Sequence, residues 1–238
     1  MTAFPDAFAP DGWKEVPRPD TADSSRIWSK PLRVVGGEQS LVLLHYEPGA
    51  HYPLHPHSQS QQVLFLRGSM HDRVLHPDGQ EDEDRYLPGD YTQYPVPVER
   101  EPWSVEGATM LLVAGRPGET TSPRKIVARD AMGPGNWRPA PGATTRALSG
   151  VWLKLLRRGD KGFSTYLVYY EPGGDSPIAG LAEPCQQLIL QGSLEMAAVG
   201  PDGNPSTAAY DVGAFFERAS DVKIACSSKN GCLMVVTG

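Results

Sequence analysis

Short apolar stretches separated by turn residues recur along the whole chain, and their spacing is typical of strands. Residues 41–46 alternate before a Glu-Pro-Gly turn, and residues 62–66 are typical of a buried strand that ends at Gly68. Pro-Gly, Asp-Gly and Gly-Asp pairs separate such stretches, and no long amphipathic helical pattern occurs between them. The pattern therefore predicts an all-β protein.

The same pattern occurs twice, because the sequence aligns with itself without a gap when it is shifted by 124 residues, so that Trp13 falls on Trp137. The shift also places the Tyr-Glu-Pro-Gly sequence of 46–49 on the identical sequence of 170–173. Most matched residues are Gly, Pro, Trp, Tyr and Leu, which fix turns and cores. We therefore predict two copies of one domain in tandem.

About eight short strands fit into each copy, and eight antiparallel strands with regular turns are typical of a double-stranded jelly roll. The predicted architecture is thus two tandem jelly-roll barrels, with residues 1–124 as the N-terminal domain and 125–238 as the C-terminal domain. The first ten residues and the acidic run at 81–84 are predicted to be polar, solvent-facing loops.

The composition narrows the classes of partner and compartment. A net charge of −6 argues against binding to nucleic acid or to an anionic membrane surface. No apolar stretch approaches the roughly 18 residues that a membrane helix needs, and the N-terminus lacks the pattern of a signal peptide. Three cysteines without a Cys-x-x-Cys spacing favour a reduced, cytoplasmic protein.

Two histidines two residues apart precede a predicted buried strand. His55 and His57 fall on one face because side chains alternate along a strand, and Gln61 follows four residues later. Two imidazoles that meet at one point are the usual start of a zinc, iron or nickel site. The residues that alternation predicts beside them in a small-molecule site are Val63, Phe65 and Arg67. For Arg67 an ion pair with a nearby acidic residue is the favoured role.

This arrangement resembles the first signature motif of the cupin superfamily, in which two His and a Glu hold a metal inside a small β-barrel. Gln61 stands at the Glu position here. The segment 87–107, with its Pro-Trp-Ser sequence, is similar to the second motif of the ChrR-like cupins. That group includes anti-sigma-factor cupin domains and dioxygenases that cleave diketones or hydroxyacetophenones. The resemblance implies a bicupin, and it places a His ligand where this chain has Arg100.

The four ligand positions that the resemblance implies differ sharply between the two copies. They are polar in the first copy and, apart from one thiol, apolar in the second. The residues are His55, His57, Gln61 and Arg100 in the N-terminal copy, and Ala179, Leu181, Cys185 and Ile224 in the C-terminal copy. We therefore predict a metal-free, filled core in the C-terminal barrel and place any chemistry in the N-terminal barrel.

The N-terminal ligand set leaves metal binding open. Gln61 offers a neutral carbonyl oxygen, and Arg100 brings a positive charge. A divalent ion about 5 Å from a guanidinium experiences a repulsion of several kcal/mol even at an effective dielectric near 20. The alternatives are one divalent ion on His55, His57 and Gln61, with Fe²⁺ or Zn²⁺ ahead of Ni²⁺, or no metal.

Three functions follow from these alternatives, each with a small molecule as partner. The first is a mononuclear-metal dioxygenase-like enzyme for an enolisable or anionic substrate, whose charge Arg100 neutralises. The second is a metal-free isomerase or cyclase in which His55 or His57 is the general base and Arg100 the oxyanion partner. The third is a non-catalytic, ChrR-like regulatory cupin that senses a ligand or a metal. Pairing of two copies into a homodimer is left open.

Overall fold

The computed structural model describes residues 3–19, 24–35, 38–115, 124–140, 150–158, 164–177, 185–199, 205–218 and 224–238. All regular secondary structure in these residues is strand, and none of them form a helix long and apolar enough to cross a membrane. The chain divides into two compact units, one of Pro10–Gly133 and one of Met1–Ala9 with Pro134–Gly238. The predicted all-β, two-barrel architecture is confirmed.

The N-terminal unit consists of two sheets. The strands, in chain order, are β2 (Lys14–Glu15), β3 (Ile27–Val35), β4 (Glu38–Tyr46), β5 (His55–Pro56), β6 (Gln61–Gly68), β7 (Met70–Leu75), β8 (Glu81–Tyr86), β9 (Tyr91–Tyr94), β10 (Glu99–Trp103), β11 (Ala108–Ala114) and β12 (Ile126–Ala128). One sheet has the order β12-β9-β6-β11-β4-β3-β2, and the other has the order β5-β10-β7-β8. Their inward faces form a buried apolar cluster that includes Val63, Phe65 and Met110.

The C-terminal unit also consists of antiparallel strands. They are β1 (Ala3–Phe4), β13 (Arg138–Pro139), β14 (Val151–Arg158), β15 (Ser164–Tyr170), β16 (Gly174–Pro177), β17 (Cys185–Val199), β18 (Pro205–Asp211), β19 (Phe215–Arg218), β20 (Ile224–Ser228) and β21 (Cys232–Thr237). The main path of this sheet is β1-β19-β17-β21-β15-β14-β13. The long strand β17 also pairs with β18 and β20 beyond that path.

The N-terminal unit begins and ends at residues other than the predicted bounds of 1 and 124. Ala3 and Phe4 pair with Phe216 and Phe215 of β19, so the expectation of a polar loop is wrong at these two residues. The rings of Phe4 and Phe215 lie 5.9 Å apart, which explains the pairing by apolar contact. At the other end, β12 pairs with β9 and belongs to the N-terminal unit.

Equivalent contacts recur in the two units at positions 124 apart, as the self-alignment predicts. The Trp28 Nε1–H donates to Glu47 at 2.9 Å, and the Trp152 Nε1–H donates to Glu171 at 2.9 Å. The strand registers agree as well, because Asp72 lies opposite Pro102 and Met196 lies opposite Cys226. The described residues in these contacts and ladders therefore lie at structurally equivalent positions of the two barrels.

The acidic run at 81–84 is part of strand β8, so the prediction of a loop is wrong, whereas the predicted solvent exposure is confirmed for Glu81, Asp82 and Glu83. Asp84 accepts hydrogen bonds from Lys125 at 2.5 Å and from Arg129 at 2.5 Å. Lys125 also lies 3.5 Å from Asp82, and its side chain is only 3% exposed. These ion pairs fasten the segment that carries β12 to the N-terminal unit.

The interior of the C-terminal barrel is largely apolar where the structure describes it, but it also contains the buried amide of Gln187. Cys185 and Met196 lie in a buried cluster of apolar side chains. Ala179 and Leu181 fall outside the described residues, and only the backbone of Ile224 is described. At the position of Gln61 this barrel has the thiol of Cys185, which accepts a hydrogen bond from Gln187 Nε2 at 3.3 Å.

Candidate functional site

Strands β5, β6 and β10 bring the predicted site residues together. His55 lies opposite Arg100 in the ladder between β5 and β10, and opposite residues of a ladder share a face. The ring centroids of His55 and His57 are 4.7 Å apart. Gln61 begins β6 and contacts both His57 and Arg100. The four polar residues therefore form one connected group.

A buried carboxylate completes this group, and the sequence interpretation missed it. Asp72 is fully buried, and its Oδ1 lies 3.3 Å from the Nε of Arg100, which is 4% exposed. The guanidinium also lies 3.9 Å from the centre of the Tyr94 ring. The available signal was alternation in β7, where Met70, Asp72 and Val74 share the inward face. A charge on that face requires a partner.

The charge of Arg100 is therefore already balanced inside the protein. Burial alone would lower the pKa of Arg100, but the carboxylate of Asp72 and nearby tyrosines raise it above its ordinary value. The neighbouring acid Glu101 interacts with other residues, because it accepts from Arg73 at 2.8 Å and lies 2.9 Å from His51. A substrate is not needed to neutralise Arg100.

A chain of hydrogen bonds leads from Arg100 to His57. Arg100 Nη1 donates to Gln61 Oε1 at 3.4 Å, and Gln61 Nε2 lies 2.8 Å from His57 Nδ1. A guanidinium has no acceptor, so the amide oxygen must face Arg100 and the amide NH₂ must face His57. His57 Nδ1 is then an acceptor, and the proton of the neutral ring is on Nε2.

Both histidines are neutral at physiological pH. Burial lowers the pKa of His57 to about 2, with further contributions from the charge of Arg100 and from His55. Burial also lowers the pKa of His55, and Arg100 adds to this effect. His55 Nδ1 lies 2.8 Å from the carbonyl oxygen of Pro53, which only accepts. The neutral His55 ring therefore carries its proton on Nδ1 and a lone pair on Nε2.

His57 Nε2, at the end of this chain of hydrogen bonds, is buried and has no hydrogen-bond partner among the described residues. The carboxylate of Asp72 and the hydroxyl groups of Tyr94 and Tyr86, by contrast, lie close enough to interact with one another. Leaving a buried polar atom unpaired costs roughly 1–3 kcal/mol, so such atoms usually meet a ligand or an ordered water. The N–H of His57 is therefore the group of this site that lacks a partner among the described residues.

A cleft of about 450 Å³ leads to His57 and Gln61. This volume lies within the roughly 300–1,000 Å³ typical of small-molecule sites. Its apolar lining is Val42, Leu44, Pro56, Leu112 and Ala114, and its polar lining is His57, Ser58, Gln59 and Gln61. A ligand in this cleft meets a lining of mixed polar and apolar character.

Of the residues predicted to line the site, Arg67 does not face inward. Val63 and Phe65 are buried in the barrel core, whereas Arg67 is exposed. The ladder between β6 and β11 shifts register here: Phe65 pairs with Met110, but Arg67 pairs with the adjacent Thr109. This β-bulge contains one extra residue and reverses the alternation beyond it. The inward placement of Arg67 is therefore wrong.

The arrangement does not suit the divalent metal that the motif implies. Among the described residues, no group of three or more His, Cys, Asp or Glu side chains is placed to hold an ion. The oxygen of Gln61 already accepts from Arg100, and Nε2 of His57 carries a proton rather than a free lone pair. A cation would also face the buried guanidinium. These donors, as they are oriented, do not fit a metal.

Comparisons with solved structures identify the architecture. An oxalate decarboxylase from Bacillus subtilis with Mn(II) centres matches with a TM-score of 0.61 and 15% identity, over 100% of this chain and 76% of that one. An oxalate decarboxylase from Lactobacillus farciminis in complex with formate matches with a TM-score of 0.61 and 11% identity, over 99% of this chain and 85% of that one. The chain has a bicupin fold.

At this level of identity the structural likeness shows the fold alone. No family model matches the sequence, and no curated protein matches it. Mn(II) binding is a property of the Bacillus subtilis enzyme. The ChrR-like subgroup stays a prediction.

Proposed function

We propose that the N-terminal barrel is a metal-independent enzyme site that enolises a small carbonyl compound, as an isomerase or cyclase requires. The observation that carries this proposal is the hydrogen-bond chain from Arg100 through Gln61 to His57. It leaves a buried N–H of a neutral imidazole without a partner among the described residues, on a residue that lines the cleft. A neutral imidazole N–H is a suitable donor to a carbonyl oxygen on which negative charge develops.

The balance of charge favours a neutral substrate over a strongly anionic one. Asp72 and Arg100 together carry no net charge, and both histidines are neutral. The apolar part of the cleft lining suits a hydrocarbon body. We therefore assign ketones, aldehydes or esters with an acidic α-hydrogen as the ligand class. Anionic substrates would be expected if Arg100 had no carboxylate partner within the protein.

The proposed proton transfer uses one ring nitrogen that accepts a proton and one ring N–H that donates a hydrogen bond. The α-C–H bond of the substrate breaks, and the electron pair moves onto the carbonyl oxygen. The proton goes to Nε2 of His55, whose ring lies outside the cleft lining but 4.7 Å from the ring of His57. The carbonyl oxygen accepts a hydrogen bond from Nε2–H of His57. Return of the proton to the same carbon restores the substrate. Where the enolate is conjugated with a C=C bond or bears an adjacent hydroxyl group, return of a proton to another carbon gives an isomer. No oxidant or reductant is consumed.

Exchange of α-hydrogen for deuterium tests this step directly. The protein is incubated in D₂O with a panel of enolisable ketones that includes cyclopentanone, and the loss of the α-proton signal is followed by NMR. We expect acceleration over buffer for at least one ketone, and a loss of about 100-fold or more in His57→Ala, the usual size of such a contribution.

His71→Ala is the matched control, because His71 stacks on Trp103 outside the cleft lining. We expect exchange at the wild-type rate in this variant. Exchange by no ketone of the panel, or an equal loss in His71→Ala and His57→Ala, contradicts the proposal.

Metal content provides a second prediction. We expect the protein, purified without a histidine tag, to contain no stoichiometric iron, zinc, nickel or manganese, because the donors around His57 are oriented away from metal binding. The measurement is elemental analysis of the wild type and of His55→Ala/His57→Ala. Near-stoichiometric metal that disappears in the double variant restores the dioxygenase-like alternative.

A further inference from the structure

We propose that Gln61 and the Asp72–Arg100 pair are positioning residues that set the hydrogen-bond polarity of the cleft, so that it selects ligands with an acceptor oxygen. They do so by fixing the tautomer of His57. This inference rests on the proposed function for the identity of the site, but the tautomer is measurable without any turnover.

The first step is the immobility of the guanidinium. Arg100 is held from one side by Asp72 at 3.3 Å and from another by the Tyr94 ring at 3.9 Å. Asp72 and Tyr94 are themselves buried on β7 and β9. A buried charge that leaves its partner is strongly penalised, so Arg100 has no alternative position of comparable energy.

The second step is the orientation of the amide. If the Gln61 amide were reversed, its NH₂ group would face Nη1 of Arg100, and two donors would oppose each other at about the 3.4 Å of the present contact. The oxygen of the reversed amide would face Nδ1 of His57, so the proton of the neutral ring would be on Nδ1 instead of Nε2. Only the observed orientation satisfies Arg100, Gln61 and His57 together.

The third step is the consequence for the ligand. His57 Nε2 is buried, has no partner among the described residues and belongs to a residue that lines the cleft. Because it carries a proton, a ligand with an acceptor oxygen pairs with it, whereas a ligand with an N–H leaves two donors opposed. A site that offers a hydrogen-bond donor discriminates against a ligand without an acceptor atom, because the buried N–H of the site is then left unpaired.

The two copies of the repeat support treating these residues as one unit. The positions of Asp72, Gln61 and Arg100 correspond to Met196, Cys185 and Ile224 in the C-terminal copy. All three polar groups are thus absent together, along with the histidine, since Leu181 corresponds to His57. A pair of charges and an amide that served only stability would not need to be linked to the histidine in this way.

The experiment is ¹⁵N NMR of the imidazole nitrogens in wild type and in Gln61→Glu. A carboxylate accepts from both sides, so Glu at this position accepts a hydrogen bond from Nδ1–H of His57 as well as one from Arg100. We expect the His57 Nδ1 resonance to change from the unprotonated type in wild type to the protonated type in Gln61→Glu. Arg100→Lys, which keeps a donor-only cation, is expected to retain the wild-type pattern.

Ligand selection is measured with two five-membered rings of similar size and opposite polarity. Cyclopentanone only accepts a hydrogen bond, and the N–H of pyrrole donates one. We expect wild type to bind cyclopentanone about tenfold more tightly than pyrrole, the effect of roughly one buried hydrogen bond, and Gln61→Glu to reverse this order. Ligand-observed NMR titration supplies the affinities.

An unprotonated Nε2 in wild-type His57, or a tautomer that Gln61→Glu leaves unchanged, overturns the inference even if ketone exchange is observed. Conversely, the expected tautomers without ketone exchange contradict the proposed function alone. His71→Ala again serves as the control for both readouts, because it lies outside the chain of hydrogen bonds.

Discussion

Replacing Asp72 by Met lowers the free energy of unfolding of the N-terminal barrel by about 3–5 kcal/mol, the usual cost of removing one partner from a buried ion pair. Arg100 would remain buried at 4% exposure with no carboxylate in contact. The measurement is urea unfolding, combined with hydrogen exchange resolved by peptide to localise the loss to residues 10–133.

The second copy of the repeat supplies the control for this prediction. Met196 and Ile224 stand at the positions of Asp72 and Arg100, so Asp72→Met/Arg100→Ile reproduces an apolar pair that a barrel of this type already contains. We expect the double variant to be at least 2 kcal/mol more stable than Asp72→Met, because apolar replacement of both partners is often neutral, about 0 kcal/mol, or stabilising. Equal losses in the single and double variants would show that packing, not charge, dominates.

Gly68→Ala is expected to destabilise the same barrel by about 3–5 kcal/mol, because it combines backbone strain with overpacking. Gly68 has a φ of +70°, and a Cβ at this position would lie 1.9 Å from the carbonyl oxygen of Gly107. Neither backbone segment is free to move, since β6 and β11 pair at this point. Chemical denaturation monitored by tryptophan fluorescence measures the loss.

Gly79→Ala separates the two causes. Gly79 has a φ of +79°, but a Cβ there would meet no atom within 4 Å. This variant therefore bears only the cost of the left-handed conformation, about 1–2 kcal/mol. If Gly68→Ala costs no more than Gly79→Ala, the close approach of Gly107 has no energetic consequence and the prediction fails.

The fold could be predicted from the sequence because its signals are periodic and repeated. Alternation along the strands and the shift of 124 residues specify two similar β-barrels before any contact is known. The two-residue strand Ala3–Phe4 was missed for the opposite reason, since two residues carry no period. Its partner strand, β19, lies far away in sequence, and no local sequence pattern predicts such a pairing.

The candidate site was predictable in its location but not in its electrostatics. The spacing of His55, His57 and Gln61 places them near one another, and the structure does bring them together. Asp72 was missed because an acidic residue in a polar stretch resembles a surface residue unless the face of its strand is known. The orientation of Arg67 depended on a bulge, which has no clear sequence signal here.

The pairing of Ala3–Phe4 with β19 has a consequence for the order of events during synthesis. Phe4 leaves the ribosome 211 residues before its partner Phe215 (215 − 4 = 211), so this segment waits unpaired while the whole N-terminal barrel is made. The C-terminal barrel, expressed alone from residue 134, lacks this strand and exposes the edge of β19. An exposed strand edge is a template for aggregation, so we expect the C-terminal barrel expressed alone to be less soluble than a barrel with a covered edge.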